Sequence, residues 1–172
     1  MIFVIDSSVL FDLERGGIAN LVLSKARFEA PDLLVRDELG DQAHQFPHLY
    51  SVRLTDAEAT QAQKIMQNHG RKTHSSKRKQ RKELSQVDCA VIALATRHER
   101  VLLVGDANLK DIARSLKIEC RGLLGFFELL EEQSLCERDD LLSALVKLRA
   151  HPRARLPKDA LQSLIDRWQS IA

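Results

Sequence analysis

The sequence Ile2-Phe3-Val4-Ile5-Asp6 consists of four consecutive apolar residues followed by an acid. A second run, Val101-Leu102-Leu103-Val104, is followed after one glycine by Asp106. Short runs that are apolar at every position are typical of strands buried on both faces, as in a parallel sheet. Ligands bind in the crevice at the carboxyl ends of such strands. We therefore predict an α/β protein in which Asp6 and Asp106 lie at the ligand-binding edge of the sheet.

Two further acids have reason to face the same edge. Glu38 lies at helical spacing from Leu34 and Val35, which predicts an acid on the apolar face of a short helix. Asp88 lies three residues after Ser85, at the start of a helix that is apolar on all faces. Four carboxylates that meet in one pocket repel one another unless a cation lies between them, so we predict a site for Mg²⁺ or Mn²⁺.

Each of these acids also has a structural explanation. Asp6 and Asp106 can cap the helices that follow them, and Ser85 with Asp88 resembles a capping pair. Glu38 is the hardest to explain in this way, because a buried acid needs a partner or a cation. The placement of all four acids toward one edge favours a shared role over four separate structural ones.

Length and composition limit the class of protein. The 172 residues suit one domain, and 44% hydrophobic with 29% charged residues is ordinary for a globular protein. No apolar stretch approaches the roughly 20 residues that span a bilayer, and the N-terminus lacks the pattern of a signal peptide. The three cysteines form no C-x-x-C pair and the six histidines show no metal-ligand spacing. These features predict a cytoplasmic protein with reduced thiols, no zinc site and no membrane contact.

A basic segment spans residues 71–82, within an insert at about 70–83. It holds seven of the chain's 26 Lys and Arg residues and none of its 24 acids, so the rest of the chain is net acidic. This concentration of charge predicts salt-sensitive contacts with nucleic-acid phosphates, without base stacking, because no aromatic residue is interleaved. The alternative is a solvated loop that only keeps the protein soluble. The candidate phosphate-binding residues are Arg71, Lys72, Lys77, Arg78, Lys79, Arg81 and Lys82.

The order of the elements alternates strand and helix in the first two thirds of the chain, and the remainder is helical. We predict a core domain at residues 1–134 and a helical C-terminal extension at residues 135–172 packed on the same domain. The extension carries an apolar stripe that must be covered. Packing on the core is our prediction, and a homodimer is the alternative. The stripe consists of Leu161, Leu164, Ile165, Trp168 and Ile171.

Four ordered motifs in the chain resemble those of the PIN-domain nucleases. They lie at residues 1–10, 31–39, 84–95 and 101–106, and each contains one of the four acids. The glycine-bearing segment at residues 121–125 resembles a feature of some bacterial members. The resemblance implies a PIN-like three-layer α/β/α fold, with a central, mainly parallel sheet and extra helices at the C-terminus.

The resemblance also implies the chemistry. By position, Asp6, Asp88 and Asp106 would be ligands of Mg²⁺ or Mn²⁺, and Glu38 would be a ligand or the holder of a metal-bound water. The expected activity is hydrolysis of phosphodiester bonds by a metal-activated water. Many bacterial relatives are RNA-cleaving toxins of toxin–antitoxin pairs. RNA is therefore the expected substrate, and an antitoxin protein and a second copy of the chain are the candidate partners.

The surroundings of the fourth motif depart from the family pattern. Val104 stands two residues before the acid, where the family often has Thr or Ser, and Leu109 stands three residues after it, where some members have another acid. These departures argue against a second metal more than against the first. Ser7 and Asn108 are candidates to support the ligands by hydrogen bonds.

Two other classes of function fit parts of this pattern. A phosphatase with an aspartyl nucleophile after its first strand usually has a second Asp two residues later, where this chain has Ser8. A catalytically silent PIN-like module would bind RNA or a partner protein, and the loss of one of the four acids would mark it. All four acids are present, so a metal-dependent endonuclease is the function we favour.

Overall fold

A parallel β-sheet forms the centre of the molecule. The computed structural model describes residues 1–69 and 83–170. The strands in these residues are β1 (Ile2–Ile5), β2 (Arg27–Pro31), β3 (Leu49–Val52), β4 (Arg100–Leu103) and β5 (Cys120–Arg121). They lie in the order β3-β2-β1-β4-β5, and every neighbouring pair is parallel. The predicted parallel α/β architecture is confirmed.

Helices cover both faces of the sheet and complete a three-layer α/β/α fold. Helix α5 packs against β1, β2 and β4, and α4 packs against α5. The helices are α1 (Ser7–Arg15), α2 (Ala19–Leu23), α3 (Asp32–Leu34), α4 (Asp56–His69), α5 (Gln86–Ala95), α6 (Ala107–Ser115), α7 (Leu123–Glu132), α8 (Arg138–Ala150) and α9 (Lys158–Ser170). Within the described ranges, no helix combines the length and the apolar character needed to cross a bilayer.

The core forms around β1 because its side chains are apolar on both faces of the sheet. Phe3, Val4 and Ile5 are all fully buried. Phe3 stacks on Phe28 of β2 at 5.3 Å between ring centroids, and Phe126 of α7 meets both rings edge-on at 5.0 and 5.9 Å. Such aromatic contacts add to the stabilisation from burial and fix α7 on the sheet.

The strand order places a crevice beside β1. The chain runs from β1 outward through β2 to β3, and then crosses to β4 and β5 on the other side. Connections therefore leave the carboxyl ends of β1 and β4 in opposite directions, which opens a crevice at the switch point of the sheet. The Asp6 N–H donates a hydrogen bond to the Leu103 carbonyl at 3.0 Å, so the ends of the two strands stay in register.

The segment with Leu34, Val35 and Glu38, predicted as one short helix, differs from that expectation. Helix α3 is followed by a π-helical turn at Val35–Leu39 and a 3₁₀ turn at Gly40–Gln45. In a π turn, the residue five positions further along the chain returns to the same face, whereas in an α-helix it is the residue three or four positions further on. Leu39 is therefore the residue buried with Leu34, while Glu38 is exposed. The prediction of Glu38 on an apolar helix face was wrong.

The C-terminal helices pack on the rest of the chain. Helix α8 contacts α1 and α7, and α9 contacts α7 and α8. The close approach of α8 to α1 depends on Gly16, where an added Cβ would lie 3.2 Å from the Cβ of Ala144. The boundary near residue 134 stays a prediction, and Ile171 of the predicted stripe lies outside the described residues. The other stripe residues, Leu161, Leu164, Ile165 and Trp168, are buried.

Candidate functional site

One cavity of about 350 Å³ lies beside the carboxyl ends of β1 and β4 and contains all four predicted acids in its wall. Six carboxylates line it, and we call it the acidic cavity. Among its lining residues in the described chain, Arg155 is the only Lys or Arg. This excess of negative charge favours the binding of cations. The six acids are Asp6, Asp12, Glu38, Glu83, Asp88 and Asp106.

Asp6 is the most buried of these acids, with 5% of the residue exposed. It occupies the N-cap position of α1, yet its side chain makes no capping hydrogen bond and instead accepts one from the Ser8 hydroxyl. Burial raises the pKa of Asp6 to about 6, with added repulsion from Asp88 and Glu38, although the Ser8 hydrogen bond acts in the opposite direction. The capping explanation for Asp6 therefore does not hold.

Asp88 and Asp106 are half-buried, and each accepts a capping hydrogen bond at the N-terminus of a helix, α5 and α6 respectively. Asp88 accepts a hydrogen bond from the Ser85 N–H at 2.7 Å, and the Ser85 hydroxyl accepts one from the Asp88 N–H at 3.0 Å. Asp106 accepts a hydrogen bond from the Leu109 N–H at 2.9 Å. The structural explanation thus holds for both residues. It does not compete with a binding role, because a carboxylate has about four acceptor positions.

Ser8 and Gly105 form a close contact at the edge of the acidic cavity. A Cβ added at Gly105 would lie 3.0 Å from the Ser8 Oγ, so a side chain at this position would displace the hydroxyl that bonds Asp6. Ser7 and Asn108, the predicted supporting residues, also line the cavity. The hydrogen bond from Ser8, two residues after Asp6, was not predicted, and the supporting roles of Ser7 and Asn108 stay predictions.

The acids of the cavity suit a hard divalent cation by their chemistry. Carboxylate oxygens are the ligands that Mg²⁺ and Mn²⁺ prefer, and the pKa of Asp6 is raised first by burial and then by repulsion from Asp88 and Glu38. Within residues 1–69 and 83–170, no three His, Cys, Asp or Glu side chains lie close enough to form a ready-made metal site. The donor set therefore fits the ion in type and charge, and two of its members, Asp88 and Asp106, also accept capping hydrogen bonds.

Three residues of the cavity wall were not expected from the sequence. Asp12 lies one turn after Ser8 on α1, is 8% exposed, and pairs with Arg15 at 2.8 Å. Burial raises the pKa of Asp12, and Arg15 opposes that shift. Helical spacing from Ser8 is a signal that could have identified Asp12. Glu83 directly precedes the third motif, whereas Arg155 is distant in sequence and only the tertiary fold brings it to the cavity.

Fold and cavity together define an α/β domain with an acidic crevice at the switch point of its sheet. A family model described as a PIN domain matches residues 2–170. The chain belongs to the PIN-domain family, whose members are generally nucleases. A search of curated proteins and a search of solved structures gave no significant match. The predicted family and fold class are confirmed, and the roles of the individual site residues stay predictions.

Proposed function

We propose that this protein is a divalent-metal-dependent endonuclease that hydrolyses phosphodiester bonds in RNA. The observation that carries the proposal is the state of Asp6, a buried carboxylate with no capping role, repelled by Asp88 and Glu38. Burying an acid among other acids is unfavourable unless a cation compensates them. Membership of a family of nucleases supports the same conclusion.

The proposed roles follow from the positions of the residues. Asp6, Asp88, Asp106 and Glu38 would hold Mg²⁺ or Mn²⁺, which supplies polarisation of a phosphoryl oxygen and activation of a water molecule when it is bound. Ser8 keeps the Asp6 carboxylate oriented by its hydrogen bond. Glu38 is the only exposed member of the four, so it is the residue best placed to accept the proton of the attacking water.

The direct test is cleavage of an end-labelled, single-stranded RNA by the purified protein. We expect cleavage with Mg²⁺ or Mn²⁺, none with an excess of chelator, and recovery when the metal is restored. A single-stranded DNA of the same sequence run in parallel measures the preference for RNA. Binding of RNA without cleavage at any metal concentration would instead identify a catalytically silent PIN-like module.

The basic segment at residues 71–82 is proposed to bind the nucleic-acid backbone. It lies outside the described residues, but its flanks are described. The Leu84 N–H donates to the His69 carbonyl at 3.2 Å, and Glu83 and Leu84 line the acidic cavity. The chain therefore enters and leaves the segment beside the proposed active site.

Neutralising the second half of this segment is expected to weaken RNA binding for all sequences. The changes are Lys77→Gln, Arg78→Gln, Lys79→Gln, Arg81→Gln and Lys82→Gln. Each lost phosphate contact should flatten the plot of log affinity against log salt by about 0.7 units for a single strand. Fluorescence anisotropy over a salt series measures this slope. An unchanged affinity and slope would leave the segment only a solubilising role.

The partners and the compartment are part of the same proposal. The resemblance of the motifs to those of RNA-cleaving toxins is the reason to propose an antitoxin protein as a partner, and a homodimer stays an alternative assembly. The proposed compartment is the cytoplasm, since Cys89, Cys120 and Cys136 are all free thiols.

A further inference from the structure

The loop at residues 151–157, between α8 and α9, forms part of the wall of the acidic cavity. Arg155 and Leu156 of this loop line the cavity together with the acids. No sequence motif pointed to this loop, because it lies about 50 residues after the last acid of the predicted set. The C-terminal helices thus bring a positive charge to a cavity that is otherwise lined by carboxylates.

One hydrogen bond from α1 and two bonds within the loop hold it at this place. The Arg15 guanidinium pairs with Asp12 at 2.8 Å and donates to the Arg153 carbonyl at 3.4 Å. Within the loop, the Arg153 N–H donates to the His151 Nδ1 at 3.1 Å, and the Ala154 N–H donates to the His151 carbonyl at 3.2 Å. Since Asp12 itself lines the cavity, these contacts tie the position of the loop to the wall of the site.

The Arg155 side chain is available for a ligand. It is exposed, and within residues 1–69 and 83–170 it forms no ion pair or side-chain hydrogen bond, although six acids line the same cavity. Charged arginines elsewhere in the described chain, such as Arg15 and Arg97, are paired with acids. An arginine in this state has all five of its N–H donors free to bind an incoming anion.

We propose that Arg155 binds a phosphate group of the substrate strand next to the bond that is cut. This inference rests on the proposed nuclease function. A polyanion that approaches six carboxylates is repelled, and the bound metal offsets only part of their charge. Arginine matches phosphate better than lysine does, because its planar guanidinium can donate two parallel hydrogen bonds to one phosphate. Arg155 is therefore a substrate-binding residue that draws the backbone into the cavity.

The test compares three variants. Arg155→Gln removes the charge and the paired donors, Arg155→Lys keeps the charge alone, and Arg153→Gln is the matched control in the same loop. Arg153 contributes its backbone to the loop, and this contact remains in the variant. We expect Arg155→Gln to raise KM for RNA by roughly tenfold or more, with kcat within about twofold, since the contact is made equally in the ground and transition states. Arg155→Lys should recover part of the loss, and Arg153→Gln should match the wild type.

A binding measurement separates this inference from the nuclease proposal. In an Asp6→Asn background with Mg²⁺ present, Arg155→Gln should weaken the affinity for a labelled RNA and flatten its salt dependence by about 0.7 units, as for one lost phosphate contact. If the wild type cleaves RNA but Arg155→Gln keeps its KM and its affinity, the inference about Arg155 is wrong and the nuclease proposal stands. Equal losses in Arg155→Gln and Arg153→Gln would also contradict it. No cleavage by the wild type overturns the nuclease proposal itself.

Discussion

Replacing Asp6 by asparagine is expected to abolish RNA cleavage and at the same time to stabilise the metal-free protein. The substitution removes the most buried of the proposed ligands, and the loss in kcat/KM should be on the order of 100-fold or more. The asparagine side chain is the same size, and its carbonyl oxygen still accepts the Ser8 hydrogen bond. A drop in activity therefore cannot be attributed to misfolding, provided that stability is measured on the same sample.

The stabilisation by Asp6→Asn should be larger at neutral pH than at acidic pH. The pKa of Asp6 is raised from 3.8 to about 6, so the folded state holds its proton more tightly than the unfolded state does. Well below pH 3.8 the carboxyl is protonated in both states and carries no penalty. As pH rises from about 4 to about 6, the wild type loses up to about 3 kcal/mol of stability from this group, and the loss is then constant. Asp6→Asn avoids it.

Urea unfolding in the presence of a chelator, at pH 4 and at pH 7.5, measures this difference. Asp41→Asn is the control, because Asp41 is an exposed acid that is not among the cavity residues. It should change neither activity nor the pH dependence. A folded Asp6→Asn protein that cleaves RNA as fast as the wild type would refute the catalytic assignment. Equal stability of the two proteins at pH 7.5 would refute the penalty for holding a charged Asp6 carboxylate in this buried position.

Replacing Arg100 by methionine is expected to destabilise the fold by about 3–5 kcal/mol without affecting the site. Glu29 of β2 is 2% exposed and accepts hydrogen bonds from the Arg100 Nε at 2.9 Å and from the Arg27 Nε at 2.8 Å. Burial alone would raise the pKa of Glu29, but the bonds from Arg27 and Arg100 outweigh it and lower that pKa. Without Arg100, the buried carboxylate keeps only Arg27, whose side chain is half exposed.

The pH dependence and a second variant test this explanation. A lowered folded pKa stabilises above the unfolded pKa, so the effect of Arg100→Met should be full at pH 7 and should shrink as pH falls below about 4.5. The double variant Glu29→Gln with Arg100→Met should recover much of the loss, because no buried charge is left unpaired.

A fully exposed ion pair provides the control for this variant. Arg36→Met removes one partner of the surface pair with Asp37 and should leave the unfolding midpoint unchanged. Arg100 begins β4, whereas the acidic cavity lies at the other end of that strand, so the folded Arg100→Met protein should keep its activity. A midpoint for Arg100→Met equal to that of the wild type would show that Glu29 does not depend on this partner.

The sequence predicted most of the fold because its signals are local. The short apolar runs at residues 2–5 and 101–104 contain no polar residue, which is typical of strands buried on both faces. Asp6 comes directly after β1, and Asp106 comes three residues after the end of β4. Their shared position at the edge of the sheet could therefore be inferred from the topology. Asp88 could be placed in the same way, from the start of the apolar helix α5.

The remaining features depend on contacts that no local pattern encodes. The π-helical turn at Val35–Leu39 shifts Glu38 to an exposed position, and the choice between an α turn and a π turn is made by packing, since the residues suit both. Arg155 reaches the cavity because α8 docks on α1, and the hydrogen bond from Arg15 to the Arg153 carbonyl joins residues that are 138 positions apart. Contacts between residues so far apart in sequence form only when the whole domain folds.

The backbone hydrogen bond from the Leu84 N–H to the His69 carbonyl makes this protein modular. It joins the described residues on either side of the basic segment. Changes of charge within residues 71–82 that keep this bond are therefore expected to leave the described fold in place. Affinity for the substrate strand and the chemistry of its cleavage are, in this architecture, free to evolve separately.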